Sequence, residues 1–147
     1  MNATLILPSI VRVIEGALEG LVCANVALLE LDERIPVSPL DARVRYQRER
    51  SGFEDWEICT RVLSLGYGDC EDLASWTAAG YRVTGDDEGA RAVLYRTGPR
   101  MYHCVCLLTS GEIVDVCPAL GMRPPQRGHH VGSASLLSAL RRARDER

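Results

Sequence analysis

The first part of the chain has the hydrophobic spacing of a long helix. Over residues 9–31 the apolar side chains recur every three or four positions and form one stripe, made of Ile10, Ile14, Ala17, Leu18, Leu21 and Leu28. Glu15 and Glu19 fall off this stripe. Gly16 and Gly20 weaken the helix, because glycine has a low helix propensity. The pattern predicts one amphipathic helix across this segment.

The middle of the chain predicts two shorter helices. An extended segment with two prolines and an arginine-rich connector separate them from the first helix. One helix is predicted from about Glu54 to Leu65 and carries Trp56. The other begins at Cys70 and runs to about Tyr81 or slightly beyond. Trp56 is therefore expected near the loop that precedes Cys70.

The later part of the chain predicts an antiparallel meander. Runs rich in β-branched and aromatic residues, separated by glycine-containing turns, predict strands over about 90–96, 101–108 and 112–117. Ser133 can cap a terminal helix over about 133–146, whose apolar side carries leucines. Helices followed by a meander are typical of an α+β fold.

Length and composition limit the classes of protein this can be. A chain of 147 residues is long enough for one domain with its own core, so we expect a single domain over 1–147. The formal net charge of -3 gives no basic footprint for nucleic acid. No apolar run reaches membrane-spanning length. Residues 1–13 lack a basic region before an apolar stretch, so we expect no secretory signal.

The six cysteines are expected to be free thiols. Disulfides are rare inside cells, and a chain of this length does not need them for stability. Exposure on the outside of a particle such as a virion would change this expectation.

The run Gly66-Tyr67-Gly68-Asp69-Cys70-Glu71-Asp72-Leu73-Ala74 carries the strongest chemical signal. Asp69 is a good N-cap residue, and Asp72 three positions later approximates a capping box. Cys70 then lies in the first helical turn, where unpaired backbone N–H groups and the helix dipole favour a thiolate. The same donors can stabilise a developing oxyanion. Cys70 is therefore a candidate nucleophile.

His103 and Asp115 follow Cys70 in the order expected of an activated-thiol triad. A three-residue loop over 109–111 would pair Leu108 with Glu112 and put Asp115 diagonally on the face of His103. A two-residue loop would turn Asp115 to the opposite face, because one register step inverts every side chain. We therefore predict the odd register, with the ring of His103 between sulfur and carboxylate.

Other interpretations of the same residues stay open. A buried cysteine can pack as a small hydrophobe, a strand histidine can be a packing residue, and an aspartate can end a strand. In the even register Cys104, Cys106 and Cys117 could bind zinc together with His129 or His130. However, Cys-x-Cys lacks the usual ligand spacing.

The acids beside Cys70 have opposing effects. Glu71 and Asp72 stabilise the first helical turn, yet their charges oppose formation of a thiolate. Asp69, Glu71 and Asp72 also offer hard oxygen ligands, so calcium is conceivable, although helix capping explains these acids without it. No other cofactor is expected.

These motifs resemble the transglutaminase-like cysteine peptidase superfamily. The match is similar to a compact branch found in tailed-phage and prophage gene clusters, in which a tryptophan-containing helix precedes the cysteine motif and a histidine hairpin ends near Leu-Gly-Met. The corresponding elements here are 54–56, 66–74, 102–103 and 120–122, and the resemblance covers about residues 25–122. It implies a papain-like core, in which a cysteine-bearing helix packs on a small antiparallel sheet.

The resemblance also implies roles for individual residues. Cys70 would be the nucleophile, His103 the general base and Asp115 its orienting partner. The backbone N–H of Cys70 and the side chains of Tyr67 and Trp56 are candidate oxyanion donors. Some secreted relatives bind calcium through the acids flanking their cysteine, which correspond to Asp69 and Glu71.

Two functions from different classes follow from this resemblance. The first is a cysteine hydrolase or acyltransferase that acts on amide or isopeptide bonds of a protein or peptide through a thioacyl intermediate. The second is a structural or assembly component of a phage virion, with phage structural proteins as partners. Either function predicts a location in the host cytoplasm or on the virion, with no nucleic-acid or membrane partner.

Overall fold

The structure is a computed structural model that describes residues 7–50, 55–98 and 101–123. The predicted helix over 133–146 lies outside these residues, as do His129 and His130. The elements in chain order are α1 (Leu7–Leu31), β1 (Arg45–Tyr46), α2 (Cys59–Leu65), β2 (Tyr67–Gly68), α3 (Cys70–Thr84), β3 (Arg91–Gly98), β4 (Met101–Leu107) and β5 (Ile113–Val114). The described part of the chain is therefore α+β, as the sequence predicts.

The long helix α1 packs against α3 through a buried row that shares only Leu18 and Leu21 with the predicted stripe. Leu18, Val22 and Leu29 are buried on it, whereas Ala17, which we placed on the stripe, is exposed. The buried row also contains the polar Asn25, whose Oδ1 accepts a hydrogen bond of 2.8 Å from the N–H of Cys59. This bond satisfies a donor at the start of α2, whose N-cap residue has no side-chain acceptor to offer.

Helix α2 is shorter than the sequence predicts. It begins at Cys59 rather than at Glu54, and residues 55–58 are not helical. A tertiary bond explains the difference, since the N–H of Glu57 donates to Asp72 Oδ1 at 2.7 Å and holds this segment away from helical geometry. Helix α2 ends at Gly66, whose φ of 75° is the left-handed conformation that glycine adopts most readily.

Helix α3 is the central helix of the core. Nine consecutive residues from Asp72 to Gly80 are buried, as is Cys70 at its start. Trp76 is fully buried and its indole N–H donates to the carbonyl oxygen of Pro36 at 2.9 Å. Gly80 packs directly against the backbone carbonyl of Val37, so the 36–37 segment lies against this helix.

The larger sheet is antiparallel with strand order β3-β4-β5. Strand β5 covers only Ile113–Val114, shorter than the predicted 112–117, because Asp115 turns its side chain back to accept a bond from the N–H of Cys117. A short parallel pair, β1 with β2, was not predicted; it pairs Arg45 with Tyr67 and holds the strand that leads into Cys70. Within the described ranges, no helix is long and apolar enough to cross a membrane.

The close contact at Gly80 gives a test of the packing around α3. We expect Gly80→Ala to lower the free energy of unfolding by about 1–3 kcal/mol, because a Cβ would overlap the carbonyl oxygen of Val37. Gly20→Ala in α1 is the matched control, since no atom lies near its added Cβ. Because alanine has a higher helix propensity than glycine, Gly20→Ala should instead raise the free energy of unfolding by about 0.5–1 kcal/mol. Urea denaturation measures both values, and a stabilising Gly80→Ala would contradict this packing.

Candidate active site

The cysteine motif forms a strand-to-helix turn held by a capping box. Asp69 Oδ1 accepts hydrogen bonds from the N–H groups of Glu71 at 3.1 Å and Asp72 at 3.3 Å. In return, Asp72 Oδ2 accepts from the N–H of Asp69 at 3.2 Å. A side chain at Gly68 would press on Asp72 and Val62, whose atoms lie 3.2 Å from the Cβ position. The predicted capping box is confirmed, and it makes Cys70 the first residue of α3.

The Cys70 thiol is buried and hydrogen-bonded to Glu71 in this arrangement. Only 7% of the residue is exposed, and Sγ donates a hydrogen bond of 2.9 Å to Glu71 Oε2. Burial raises the pKa of the Cys70 thiol, and the charge and hydrogen bond of Glu71 raise it further. A hydrogen bond from the backbone N–H of Cys104 acts in the opposite direction. This last contact places the sulfur beside the backbone of β4.

His103 and Asp115 form the hydrogen-bonded pair that the sequence predicts. His103 Nε2 and Asp115 Oδ2 are 2.9 Å apart, and His103 is buried. Burial alone would raise the pKa of Asp115, but the hydrogen bond and charge of His103 and the N–H of Cys117 hold that pKa below its usual value. The neutral tautomer with its proton on Nε2 would donate to Asp115 and leave Nδ1 as the acceptor.

The register of the hairpin explains this pairing. Leu107 pairs with Ile113, and the N–H of Leu108 donates to the carbonyl oxygen of Glu112 at 2.9 Å. The loop therefore has three residues, 109–111, and Gly111 closes it with a φ of 87°. The odd register is the predicted one, and Asp115 and His103 consequently share a face.

The opposite face of β4 argues against the zinc site that the sequence left open as an alternative. Cys104 and Cys106 are both fully buried and belong to the hydrophobic core. Burial raises the pKa of the Cys106 thiol to about 12. Cys117 does not join them in a ligand set; its thiol instead lies with His103 and Asp115.

Two tyrosines adjoin the site, and the sequence analysis missed both. The ring of Tyr95, the cross-strand partner of His103, meets the imidazole edge-on with centroids 5.5 Å apart. Burial raises the pKa of Tyr95 to about 12, with added effects from Asp115 and Cys70. Burial likewise raises the pKa of Tyr46, and Cys70 contributes again. Cys70 and Asp115 thus both lie within electrostatic reach of Tyr95. Pairing the predicted strands β3 and β4 would have identified this tyrosine as the neighbour of His103.

The candidate oxyanion donors lie on α3, on β2 and in the segment that precedes α2. The N–H of Cys70 is at the first position of α3, where the helix supplies no acceptor. Trp56 Nε1 is buried and has no hydrogen-bond partner among the described residues, and the neighbouring Glu57 is bonded to Asp72. Tyr67 lies in β2 under the guanidinium of Arg45, which is 5.7 Å from its ring centroid.

The candidate calcium ligands already have protein partners. Asp69 caps α3, and Glu71 accepts the bond from Cys70. Neither belongs to a group of three or more metal-ligating side chains within the described ranges. Calcium binding here stays a prediction.

No protein-family model, curated protein or solved structure matches this chain. What the chain does is therefore inferred from the side chains that the fold brings together.

The contact between Cys70 and Glu71 predicts how reactivity depends on pH. Glu71→Gln removes a charge that raises the pKa of Cys70 but keeps the side-chain volume. We expect the pH profile of Cys70 alkylation by iodoacetamide, followed by mass spectrometry, to move to lower pH. Glu88→Gln, at an exposed glutamate in the loop after α3, is the control and should leave the profile unchanged. Overlapping profiles for the two variants would contradict a role for Glu71.

The buried acids predict a pH dependence of stability. Burial raises the pKa of Asp69 and of Asp72, so the folded state binds more protons than the unfolded state above about pH 4. Their contribution to the free energy of unfolding therefore falls as pH rises from about 4 toward neutrality. Asp69→Asn keeps a good N-cap residue and should flatten this fall in urea denaturation. Asp41→Asn, at an exposed position, should run parallel to the wild type.

Proposed function

We propose that this protein is a thiol-dependent acyl-transfer enzyme, with Cys70 as nucleophile, His103 as general base and Asp115 as the partner that orients the base. It would act on amide or isopeptide bonds of a protein or peptide. The observation that carries this proposal is the 2.9 Å bond between His103 Nε2 and Asp115 Oδ2 on the strand whose backbone reaches Cys70. A histidine held this way by a carboxylate has its second nitrogen directed to accept a proton.

The reaction proceeds through a thioacyl intermediate. Nδ1 of His103 takes the proton of Cys70, and Sγ attacks the carbonyl carbon of the substrate. The oxyanion of the tetrahedral adduct accepts from the N–H of Cys70, with Trp56 or Tyr67 as a second donor. His103 then gives its proton to the departing amine, which leaves Cys70 acylated. Water or a second amine, deprotonated by the same histidine, attacks the thioester and regenerates the thiol.

The Glu71 side chain must move before Cys70 can transfer its proton to His103. Its carboxylate holds the Cys70 proton in this structure, so the thiol becomes available to His103 only when this bond breaks. The sulfur-to-nitrogen distance of about 3 to 4 Å that a working pair needs stays a prediction.

The papain-like core is part of the same proposal. The cysteine-bearing α3 packs against β4, which carries His103, and β5 leads into Asp115. This order supports the resemblance to transglutaminase-like cysteine peptidases, and the match of 66–74 to their cysteine motif supports it further.

Two other cysteines make the test sharp. Cys59 is also the first residue of a helix and is buried, whereas Cys23 is exposed. If accessibility alone set the rate, iodoacetamide at neutral pH would label Cys23 before Cys70. We expect Cys70 to react faster than both, and an activated acyl ester to acylate it selectively. His103→Gln should slow Cys70 by at least about 100-fold and leave Cys23 unchanged.

The opposite labelling result would refute the proposed enzyme activity. If Cys70 labels no faster than Cys59 or Cys23, and His103→Gln changes nothing, no activated thiol exists. Tyr102→Gln, at an exposed residue beside His103, is the control for nonspecific damage to β4.

One observation favours the second function, a structural or assembly component of a phage particle that uses the fold as a scaffold. The Cys70 thiol is buried and bonded to Glu71, as an inert sulfur would be. Fully infectious particles that contain Cys70→Ala protein in stoichiometric amounts would favour this function, and absence of the protein from purified particles would disfavour it.

A further inference from the structure

Three potential metal ligands of different chemistry meet on one face of the hairpin. The nearest ligand atoms of His103, Asp115 and Cys117 all lie within 4.8 Å of one another. His103 and Cys117 are buried, and Asp115 is half-buried between them. No other group of three such side chains occurs in 7–50, 55–98 and 101–123.

We propose that His103, Asp115 and Cys117 bind a zinc ion, and that the bound ion blocks the base. One nitrogen, one oxygen and one sulfur ligand suit zinc, which accepts all three and is commonly held by three protein ligands with a fourth position open. Calcium and magnesium prefer oxygen ligands alone. The mixed donor set therefore selects a borderline-soft ion.

The geometry requires only small adjustments. Ligand atoms around a tetrahedral zinc ion lie about 3.3 to 3.8 Å apart, as follows from the zinc–ligand bond lengths. The 2.9 Å between His103 Nε2 and Asp115 Oδ2 must open slightly to admit an ion. The carboxylate is already oriented, since Asp115 Oδ1 accepts from the N–H of Cys117 at 3.1 Å. The edge-on ring of Tyr95 holds the imidazole.

Binding exchanges protons for the metal ion. Cys117 must lose its thiol proton to become a ligand, and His103 must give up the proton on Nε2. Neutral His103 recovers a proton on Nδ1, so one proton is released for each ion bound. Asp115 is already a carboxylate and releases none. Affinity should therefore rise with pH.

The change of tautomer is what makes the ion inhibitory, and this half of the inference rests on the proposed function. A zinc ion on Nε2 leaves the remaining ring proton on Nδ1, the atom that must accept the proton of Cys70. The same ion breaks the bond between His103 and Asp115. Zinc and acyl transfer therefore compete for one histidine.

Cobalt(II) titration of the Cys70→Ala protein tests the site without the nucleophile. Cobalt substitutes for zinc, and a cobalt–thiolate bond gives a near-ultraviolet absorption band. We expect this band in the Cys70→Ala protein and in Cys70→Ala/Cys106→Ala, since Cys106 is an equally buried cysteine on the other face of β4. Cys70→Ala/Cys117→Ala should lose the band and bind at least about tenfold more weakly.

The outcomes separate the metal site from the enzyme. If removal of Cys117 leaves the band intact, or if no band forms when Cys117 is present, the proposed metal site is overturned. This conclusion holds whether or not Cys70 is a reactive nucleophile. Cys117→Ser keeps the side-chain volume and replaces the alanine variant if that one unfolds. Inhibition is tested by measuring the rate of Cys70 acylation with and without zinc. Zinc should slow this reaction in Cys106→Ala protein but not in Cys117→Ala protein. Equal slowing in both would overturn the inhibitory role.

Discussion

The site depends on two hydrogen bonds that the buried carboxylate of Asp72 accepts. One of its oxygens accepts the N–H of Asp69, and the other accepts the N–H of Glu57. The first bond completes the cap that starts α3 at Cys70. The second ties the extended segment with Trp56 to the same helical turn. Without this carboxylate Cys70 and Trp56, the candidate nucleophile and a candidate oxyanion donor, would lose their common anchor, because both bonds end on one side chain.

The same cap deprives the cysteine of the usual benefit of a helix N-terminus. A thiolate at such a position is stabilised by free backbone N–H groups and by the helix dipole. Here the N–H groups of Glu71 and Asp72 already donate to Asp69. Burial and the charge of Glu71 then raise the pKa of Cys70 further. In the proposed function, activation of the thiol would therefore come from His103 on β4 and from Asp115, which follows β5.

Periodicity and local chemistry predicted most of the fold, and tertiary contacts account for the errors. Helix α1, helix α3 and strands β3 and β4 follow from the spacing of apolar residues, and the capping box follows from the spacing of Asp69 and Asp72. The start of α2 was wrong because the N–H of Glu57 bonds to a residue 15 positions away. The β1–β2 pair has two residues in each strand, too few to show any alternation.

Which side chains meet at the site could be predicted from the sequence once the length of the 109–111 loop was assumed. Given a three-residue loop over 109–111, strand alternation places His103 opposite Cys117 and beside Asp115 on the diagonal. The structure has this loop, and the thiol of Cys117 lies with the other two side chains although β5 ends at Val114. As a metal ligand, however, sequence analysis considered Cys117 only together with Cys104 and Cys106, which requires the other parity.

One register thus brings a base, its carboxylate and a second thiol together. The hydrogen bond to Asp115 that would orient His103 as a base would also orient it as a metal ligand, because both roles need an imidazole held by a carboxylate. The two tasks differ only in which ring nitrogen carries the proton. The hydrogen bond between Nε2 and Asp115 favours the base in the absence of an ion, and a divalent cation that displaces this bond reverses the tautomer.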